Sequence, residues 1–335
     1  MNRRFLLVRR PNGIPVSEDF LLVEAPIPTL PPGGLIVRNH YASPDPAQRG
    51  WMDDVPSYMP PIALGEAVRA ATLGTVHASD NPAFAPGDWV RGSHALEDYT
   101  AVPAGGFTRP IDIDAVERPT LFLSALGGNA MTAYFGLLDV ARPRAGETLL
   151  VTGAAGGVGS IVGQIGRIMG CRTIGIAGGP EKCRRLVDQF GFDAAIDYKG
   201  KTRSVLASEI EAQAPGGVDI LFENVGGDVM DAVLLNLAER ARIVLCGLIS
   251  EYNATGRVGI RNLWQVLVRR ATLHGMIVAD YIPRFAEAAD DISRWLSEGR
   301  LHVEEDVQEG LENAYPTFMR LFSGANRGKQ ILKIV

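Results

Sequence analysis

One stretch constrains this chain more than any other. Leu149-Leu150-Val151-Thr152 reads as a short apolar strand and Gly153-Ala154-Ala155-Gly156-Gly157-Val158-Gly159 as a run of small residues. From Ser160 onward Ile161, Val162, Ile165, Ile168 and Met169 fall at helical spacing. A turn without large side chains lets backbone N–H groups approach an anion, and the helix N-terminus behind it carries about half a positive charge. Strand, turn and helix in that order are what a pyrophosphate needs. The fingerprint G-x-G-x-x-G maps onto Ala154-x-Gly156-x-x-Gly159, with Ala in the first slot. The spacing predicts a dinucleotide cradle on Ala154, Gly156, Gly157, Val158 and Gly159; the alternative is a tight strand-to-helix turn that holds nothing.

After this stretch strand and helix patterns alternate. Strands are predicted at 148–152, 173–177, 194–197, 218–224 and 241–246, with helices over 159–170, 180–190, 202–213 and 226–238 between them. That alternation means a parallel sheet with right-handed crossovers, a doubly wound domain. A short helix from Trp264 to Val268, a strand over Thr272–Val278 and a helix over Ile282–Gly299 follow. Ahead of the motif, Leu121 to Leu138 suits one or two helices interrupted at Gly127-Gly128-Asn129. Residues 1 to about 120 hold many short strands bounded by Gly and Pro, the pattern of a partly open barrel. The tail from Gln330 to Val335 reads as a last strand returning to that barrel. The chain is therefore expected to be α/β with two domains: 1–120 with 300–335, and 121–299.

Charge and hydropathy remove other classes. The net charge is −5 with no basic run, which argues against nucleic acid. No apolar stretch approaches the roughly 18–20 residues that span a bilayer. The N-terminus is basic but returns to Arg after four apolar residues, so it reads as a strand and not a signal peptide. Three widely spaced cysteines, Cys171, Cys183 and Cys246, suit a reducing cytoplasm.

The nucleotide is read from what stands after the second strand. A site selective for NAD places an acid there, about 20 residues past the glycine turn. Here the strand ends Ala177-Gly178-Gly179 with no acid at its tip, and Lys182 follows on the next helix. A small tip with a nearby cation leaves room and compensating charge for the extra phosphate of NADP. NADPH is the predicted cofactor, although Lys182, like Arg184 and Arg185, could also belong to a solvated helix face. No metal is expected: the early histidines His40, His77 and His94 have no cysteine before Cys171 to join them. Without a Lewis acid, hydride chemistry leans toward activated alkenes, whose conjugated carbonyl already takes up negative charge.

Five segments then carry a resemblance. They are Met131–Leu137, Ala154–Gln164, Glu223-Asn224-Val225-Gly226-Gly227, Cys246–Asn253 and Gly328-Lys329. Together they resemble the zinc-independent medium-chain dehydrogenase/reductase superfamily, within it the prostaglandin reductase / leukotriene B4 12-hydroxydehydrogenase group of alkenal/one oxidoreductases. The resemblance implies a GroES-like domain beside a Rossmann domain. It also implies NADPH-dependent reduction of the double bond of an α,β-unsaturated ketone or aldehyde, and a homodimer.

Carried over by position, Lys182 and Tyr198, next to Gly178, hold the 2′-phosphate, and Asn224 lies near the cofactor. Cys246, Gly247, Ile249, Ser250 and Tyr252 flank the nicotinamide, Thr132 sits by its amide, and Asn326 reaches the phosphate or ribose region. Tyr41, Asp45, Ala47, Gln48 and Arg49 are expected to line the substrate pocket. There the group's Asp-Pro-Tyr-Met-Arg is replaced by Asp45-Pro46-Ala47-Gln48-Arg49, which predicts a wider, more polar wall. Tyr252 is the candidate to hold the enolate oxygen, with a packed tyrosine as the alternative; Cys246 reads as a packing residue and not a nucleophile. Quinone reduction, a polyketide enoyl reductase role and non-enzymatic NADPH binding are the rival readings.

Overall fold

The N-terminal residues form β1 (Asn2–Leu7) and β2 (Phe20–Ala25), which pair antiparallel as a sheet of their own with Phe5 opposite Leu22. The computed structural model describes residues 1–256 and 258–335. After the Pro-rich loop, β3 (Leu35–Ser43) leads to the single helical turn α1 (Gln48–Trp51) and then β4 (Arg69–Ser79). β5 (Trp89–Ala95), β6 (Tyr99–Val102) and β7 (Thr108–Pro110) follow. β3 pairs antiparallel with both β4 and β6, and its register against β4 shifts between Asn39 and Tyr41. Gly74 answers that bulge: a Cβ there would stand 2.2 Å from the Arg38 carbonyl oxygen. Leu35, Val37, Val76, Val90 and Val102 form one core of these strands.

The expected interruption falls at Gly127: a 3-10 turn over Pro119–Phe122 and further turns precede it, while Gly128 and Asn129 already belong to the next helix. Gly127 is extended and α2 (Gly128–Phe135) starts directly behind it, running on into a wider-turned stretch over Gly136–Ala141. Gly136 lies under the Phe222 ring, 2.8 Å from where its Cβ would be, so the glycine permits close packing.

The alternation then appears as β8 (Thr148–Thr152), α3 (Gly159–Ile168), β9 (Arg172–Ala177), α4 (Pro180–Asp188), β10 (Ala194–Asp197), α5 (Arg203–Gln213) and β11 (Val218–Glu223). It continues with α6 (Gly227–Leu234), β12 (Leu237–Leu245), α7 (Trp264–Val268) and β13 (Thr272–Gly275). The six strands are parallel in the order β10-β9-β8-β11-β12-β13. The order reverses between β8 and β11, the switch point where open α/β sheets bind ligands.

Several boundaries differ from expectation. The helix predicted to reach 238 stops at Leu234, because the Asn236 side chain bonds the carbonyls of Ala207 and Ala232 and turns the chain into β12. The strand predicted to reach Val278 ends at Gly275. Pro283 lies in a 3-10 segment over Val278–Arg284, so α8 (Phe285–Ser297) begins three residues later than predicted.

Finally β14 (Glu305–Glu309), α9 (Ala314–Ser323) and β15 (Lys329–Lys333) return to the first sheet, whose order is β14-β15-β3-β4-β5-β7. Leu332 stands opposite Ala42. The chain forms two compact units: residues 1–124, 305–326 and 330–335, and residues 125–304 with 327–329. Among the described residues no helix is long and apolar enough to cross a membrane.

Candidate active site

The glycine turn lies where β8 gives way to α3. The Ala154 N–H donates to the Ile176 carbonyl of β9 at 3.0 Å, and Gly153 takes a φ of 59°. Gly159 has no alternative: a Cβ would fall 2.5 Å from the Gly153 carbonyl oxygen and 2.7 Å from the Ala154 Cα. At Gly156 a Cβ would meet only that same carbonyl oxygen, at 3.3 Å. At Gly157 it would crowd Asn129 Nδ2 at 3.0 Å and Lys329 Cδ at 3.3 Å. Gly156 also forms an isolated parallel bridge with Gly328. Gly163, one turn into α3, brings the helix against Phe192, whose ring would meet a Cβ at 1.9 Å. The turn is thus a backbone cradle with the amino end of α3 behind it, which fits a pyrophosphate. Thr132 lies half-buried on α2, its hydroxyl donating to the Gly128 carbonyl at 2.8 Å.

At the tip of β9 the structure brings Gly178 and Tyr198 together. A Cβ on Gly178 would lie 3.1 Å from the Tyr198 hydroxyl and from Lys199 Cε. Asp197 at the neighbouring tip is turned onto backbone, accepting from the N–H groups of Gly179 at 2.7 Å and Lys199 at 3.0 Å. Lys182 sits half-buried in the first turn of α4. Its neighbour Glu181 pairs with Arg327 at 3.2 Å. Arg184 is exposed, whereas Arg185 is buried and paired with Glu304.

The carboxyl ends of β11 and β12 carry the third cluster. Asn224 is locked by Thr152: its N–H donates to the Thr152 hydroxyl and its Nδ2 to the Thr152 carbonyl, both at 2.8 Å. The loop after β12 is stitched to it. Cys246 and Gly247 N–H donate to the Glu223 carbonyl, Ile249 N–H to the Asn224 carbonyl, and Ser250 N–H to the Val225 carbonyl. The Ser250 hydroxyl also reaches the Val225 carbonyl, at 2.6 Å. Tyr252 folds back so that its hydroxyl accepts from the Leu248 N–H at 3.2 Å, 3.0 Å from where a Gly247 Cβ would be. Burial first, then Glu223 beside it, pushes the Cys246 thiol up to about 12, so it stays protonated and serves packing.

Sequence reasoning missed Glu223 itself. Its side chain is fully buried, and Oε1 accepts from the Thr152 hydroxyl (2.8 Å) and from the N–H groups of Val225 (2.6 Å) and Gly226 (2.8 Å). Burial outweighs these bonds and raises it to about 6. The signal was an acid closing the apolar run Ile220-Leu221-Phe222.

The remaining candidates lie in the first unit. Tyr41, Asp45 and Ala47 are half-buried. Gln48 and Arg49 are buried and occupied by the unit's own frame. Gln48 Nε2 donates to the carbonyls of Ser43 and Arg69, while the Arg49 guanidinium reaches the Pro11 and Gly13 carbonyls and pairs with Asp53 at 2.7 Å. The polarity of Gln48 is therefore engaged by backbone of its own unit. Asn326 is buried at the end of the turn that precedes Arg327–Lys329.

Of the early histidines, His40 shares a hydrogen bond with Thr75 and His77 packs on Tyr99. His94 lies between the hydroxyls of Thr72 (2.6 Å) and Thr108 (2.9 Å). Among the described residues no group of three or more His, Cys, Asp or Glu could hold a metal ion.

Comparison with known proteins agrees with this arrangement. Residues 3–109 match the family model of the N-terminal domain of oxidoreductases, and residues 157–294 the model described as zinc-binding dehydrogenase. The NADPH-dependent curcumin reductase of Escherichia coli is 41% identical over 340 residues, covering 99% of this chain and 97% of that protein. The NADP(+)-dependent 2-alkenal reductase of Nicotiana tabacum is 34% identical over 338 residues, covering 99% and 97%. The crystal structure of CurA from Vibrio vulnificus in complex with NADPH is similar at a TM-score of 0.93, with 40% identity over 99% of each chain.

Proposed function

The chain belongs to the zinc-independent medium-chain dehydrogenase/reductase superfamily, as an NADP-dependent oxidoreductase of the alkenal and curcumin reductase type, and from that premise we propose that it reduces the carbon–carbon double bond of α,β-unsaturated ketones and aldehydes. NADPH, when bound, supplies the hydride that goes to the β-carbon. The observation that carries the cofactor half is the tip of β9. There Gly178 lies under Tyr198, Lys182 stands one helical turn away, Asp197 is turned onto backbone, and Glu181 is engaged by Arg327. That leaves a cation and a phenol where an NAD site would place a carboxylate.

The backbone of 154–159 receives the pyrophosphate, and the loops 224–227 and 246–252 hold the nicotinamide side. Thr132 and Asn326 are proposed to complete cofactor contact. Tyr252 is the proposed donor to the enolate oxygen. Its hydroxyl oxygen accepts from Leu248 N–H, a contact that helps fix the phenol. Tyr41, Asp45 and Ala47 are the residues proposed for substrate.

The test is loss of NADPH absorbance over a panel of 2-alkenones, 2-alkenals and a quinone. Turnover on the alkenones and alkenals supports the reading. Turnover on the quinone alone would establish quinone reduction instead, and NADPH binding without any turnover a non-enzymatic role.

We assign the working state to a homodimer. β13 is an edge strand whose four residues are all exposed, and beside it Leu263, Trp264 and Leu267 are 51%, 66% and 64% exposed. An open edge with apolar neighbours is suited to a second copy of the same strand. Its three free thiols fit work in a reducing cytoplasm.

A further inference from the structure

Glu223 presents a chemical oddity. A carboxyl with no exposure to solvent closes β11 in the middle of the parallel sheet, yet its Oε2 finds no hydrogen-bond partner among the described residues. Its other oxygen gathers three donors. The Thr152 hydroxyl comes from β8, the strand that feeds the glycine turn, and the N–H groups of Val225 and Gly226 come from the loop ahead. Each donor passes the connection on. Thr152 accepts from Asn224, while the carbonyls of Asn224 and Val225 hold Ile249 and Ser250. One oxygen can receive three donors strongly when it carries charge; an amide or acid carbonyl holds them less well. Keeping that charge buried with one oxygen unsatisfied costs stability. Packing alone would be served better by an apolar residue, so the arrangement marks a group retained for what it positions.

We infer that Glu223 is a positioning residue for the reductase reaction proposed above, on which this inference rests: its carboxylate holds loops 224–227 and 246–252 in the arrangement that receives NADPH. The titratable groups facing it are the Cys246 thiol just past β12 and, across Gly226, the Glu251 carboxylate, whose Oε1 would meet a Gly226 Cβ at 2.8 Å. Thr152 from β8 is uncharged.

The experiment compares wild type with Glu223→Gln. It measures the NADPH Kd by fluorescence titration between about pH 5 and pH 8, the melting temperature without cofactor, and kcat and KM on a 2-alkenone. If the charged form is the competent one and titrates near 6, only about a tenth of the wild type is competent at pH 5, so its Kd rises about tenfold from pH 7 to pH 5. Glu223→Gln is expected to show weaker binding already at pH 7, and an acid limb smaller than the wild type's, reduced to what titration of the cofactor's own 2′-phosphate imposes. Its KM for NADPH rises more than its kcat falls, and its apo melting temperature equals or exceeds that of the wild type.

Wild-type affinity with an intact acid limb in Glu223→Gln would overturn the inference. So would a loss of affinity that tracks a lowered melting temperature, which is the mark of a purely structural residue. A wild type that binds no NADPH would remove the proposed function, and this inference with it; normal wild-type binding beside an unaffected variant would remove the inference alone.

Discussion

Acid should attack this protein first at His94. The imidazole is buried between two threonine hydroxyls, and Thr72 passes the connection to Asn39, whose Nδ2 reaches the Glu97 carbonyl and Thr100. Burial lowers its pKa from 6.5 to about 4. A depressed folded-state pKa means that the unfolded chain takes the proton first, so stability present above pH 6.5 is lost as the pH falls toward 4. Between pH 7 and pH 5 that depression gives a loss on the order of 2 kcal/mol.

Glu223 opposes it. Its folded pKa is raised from 4.5 to about 6, so it contributes stability below 4.5 that disappears as the pH rises through 6. Over the same interval Glu223 returns on the order of 1 kcal/mol on acidification, which offsets part of the loss at His94. His94→Gln removes the first contribution and keeps the second. In urea unfolding monitored at pH 7 and pH 5, the variant's change in stability should differ from that of the wild type by roughly 2 kcal/mol in favour of acid. Parallel behaviour of the two proteins would refute the argument that His94 stays neutral in the fold.

Other outcomes follow from the site. Lys182→Ala should raise the KM for NADPH about tenfold or more, the worth of a charge-assisted phosphate contact, with little change for NADH; equal effects on both would remove the lysine from the 2′-phosphate. Tyr252→Phe should lower kcat on a 2-alkenone by at least about tenfold, and unchanged turnover would end its assignment. Gly163→Ala places a methyl in the Phe192 ring and should destabilise by about 1–3 kcal/mol, seen as a lower melting temperature; an unaffected protein would mean α3 does not sit against Phe192. Leu273→Lys on the open edge strand should halve the mass measured by light scattering, whereas a mass that stays that of two chains would place the contact elsewhere.

The doubly wound half was legible because its signal is local. Thr148–Thr152 and Ala194–Asp197 are short apolar strands flanked by Gly, and their bounds agree with expectation. The misplacements came from side chains acting at a distance. Asn236 ended a helix by reaching one carbonyl of α6 and one of α5, and Pro283 held the start of α8 back behind a 3-10 segment. In the candidate site the sequence pointed to Asn224, since polar residues at strand ends are conspicuous. It passed over Glu223 one position earlier, because only the strand's pleat shows that this carboxyl turns inward. Gln48 and Arg49 illustrate the converse. Their polarity suggested a pocket, yet it is satisfied by carbonyls up to 38 residues away in sequence, which no spacing rule exposes.

The strand Lys329–Lys333 lies between β14 and β3 in the interior of its sheet, although it is translated roughly 220 to 290 residues after β3, β4, β5 and β7. On the ribosome, the parallel-sheet unit can therefore condense while the earlier antiparallel strands wait with a vacant slot. Until β15 arrives, the unpaired edge of β3 is a place where nascent chains can pair with one another, and a frameshift late in the message would leave it open for good.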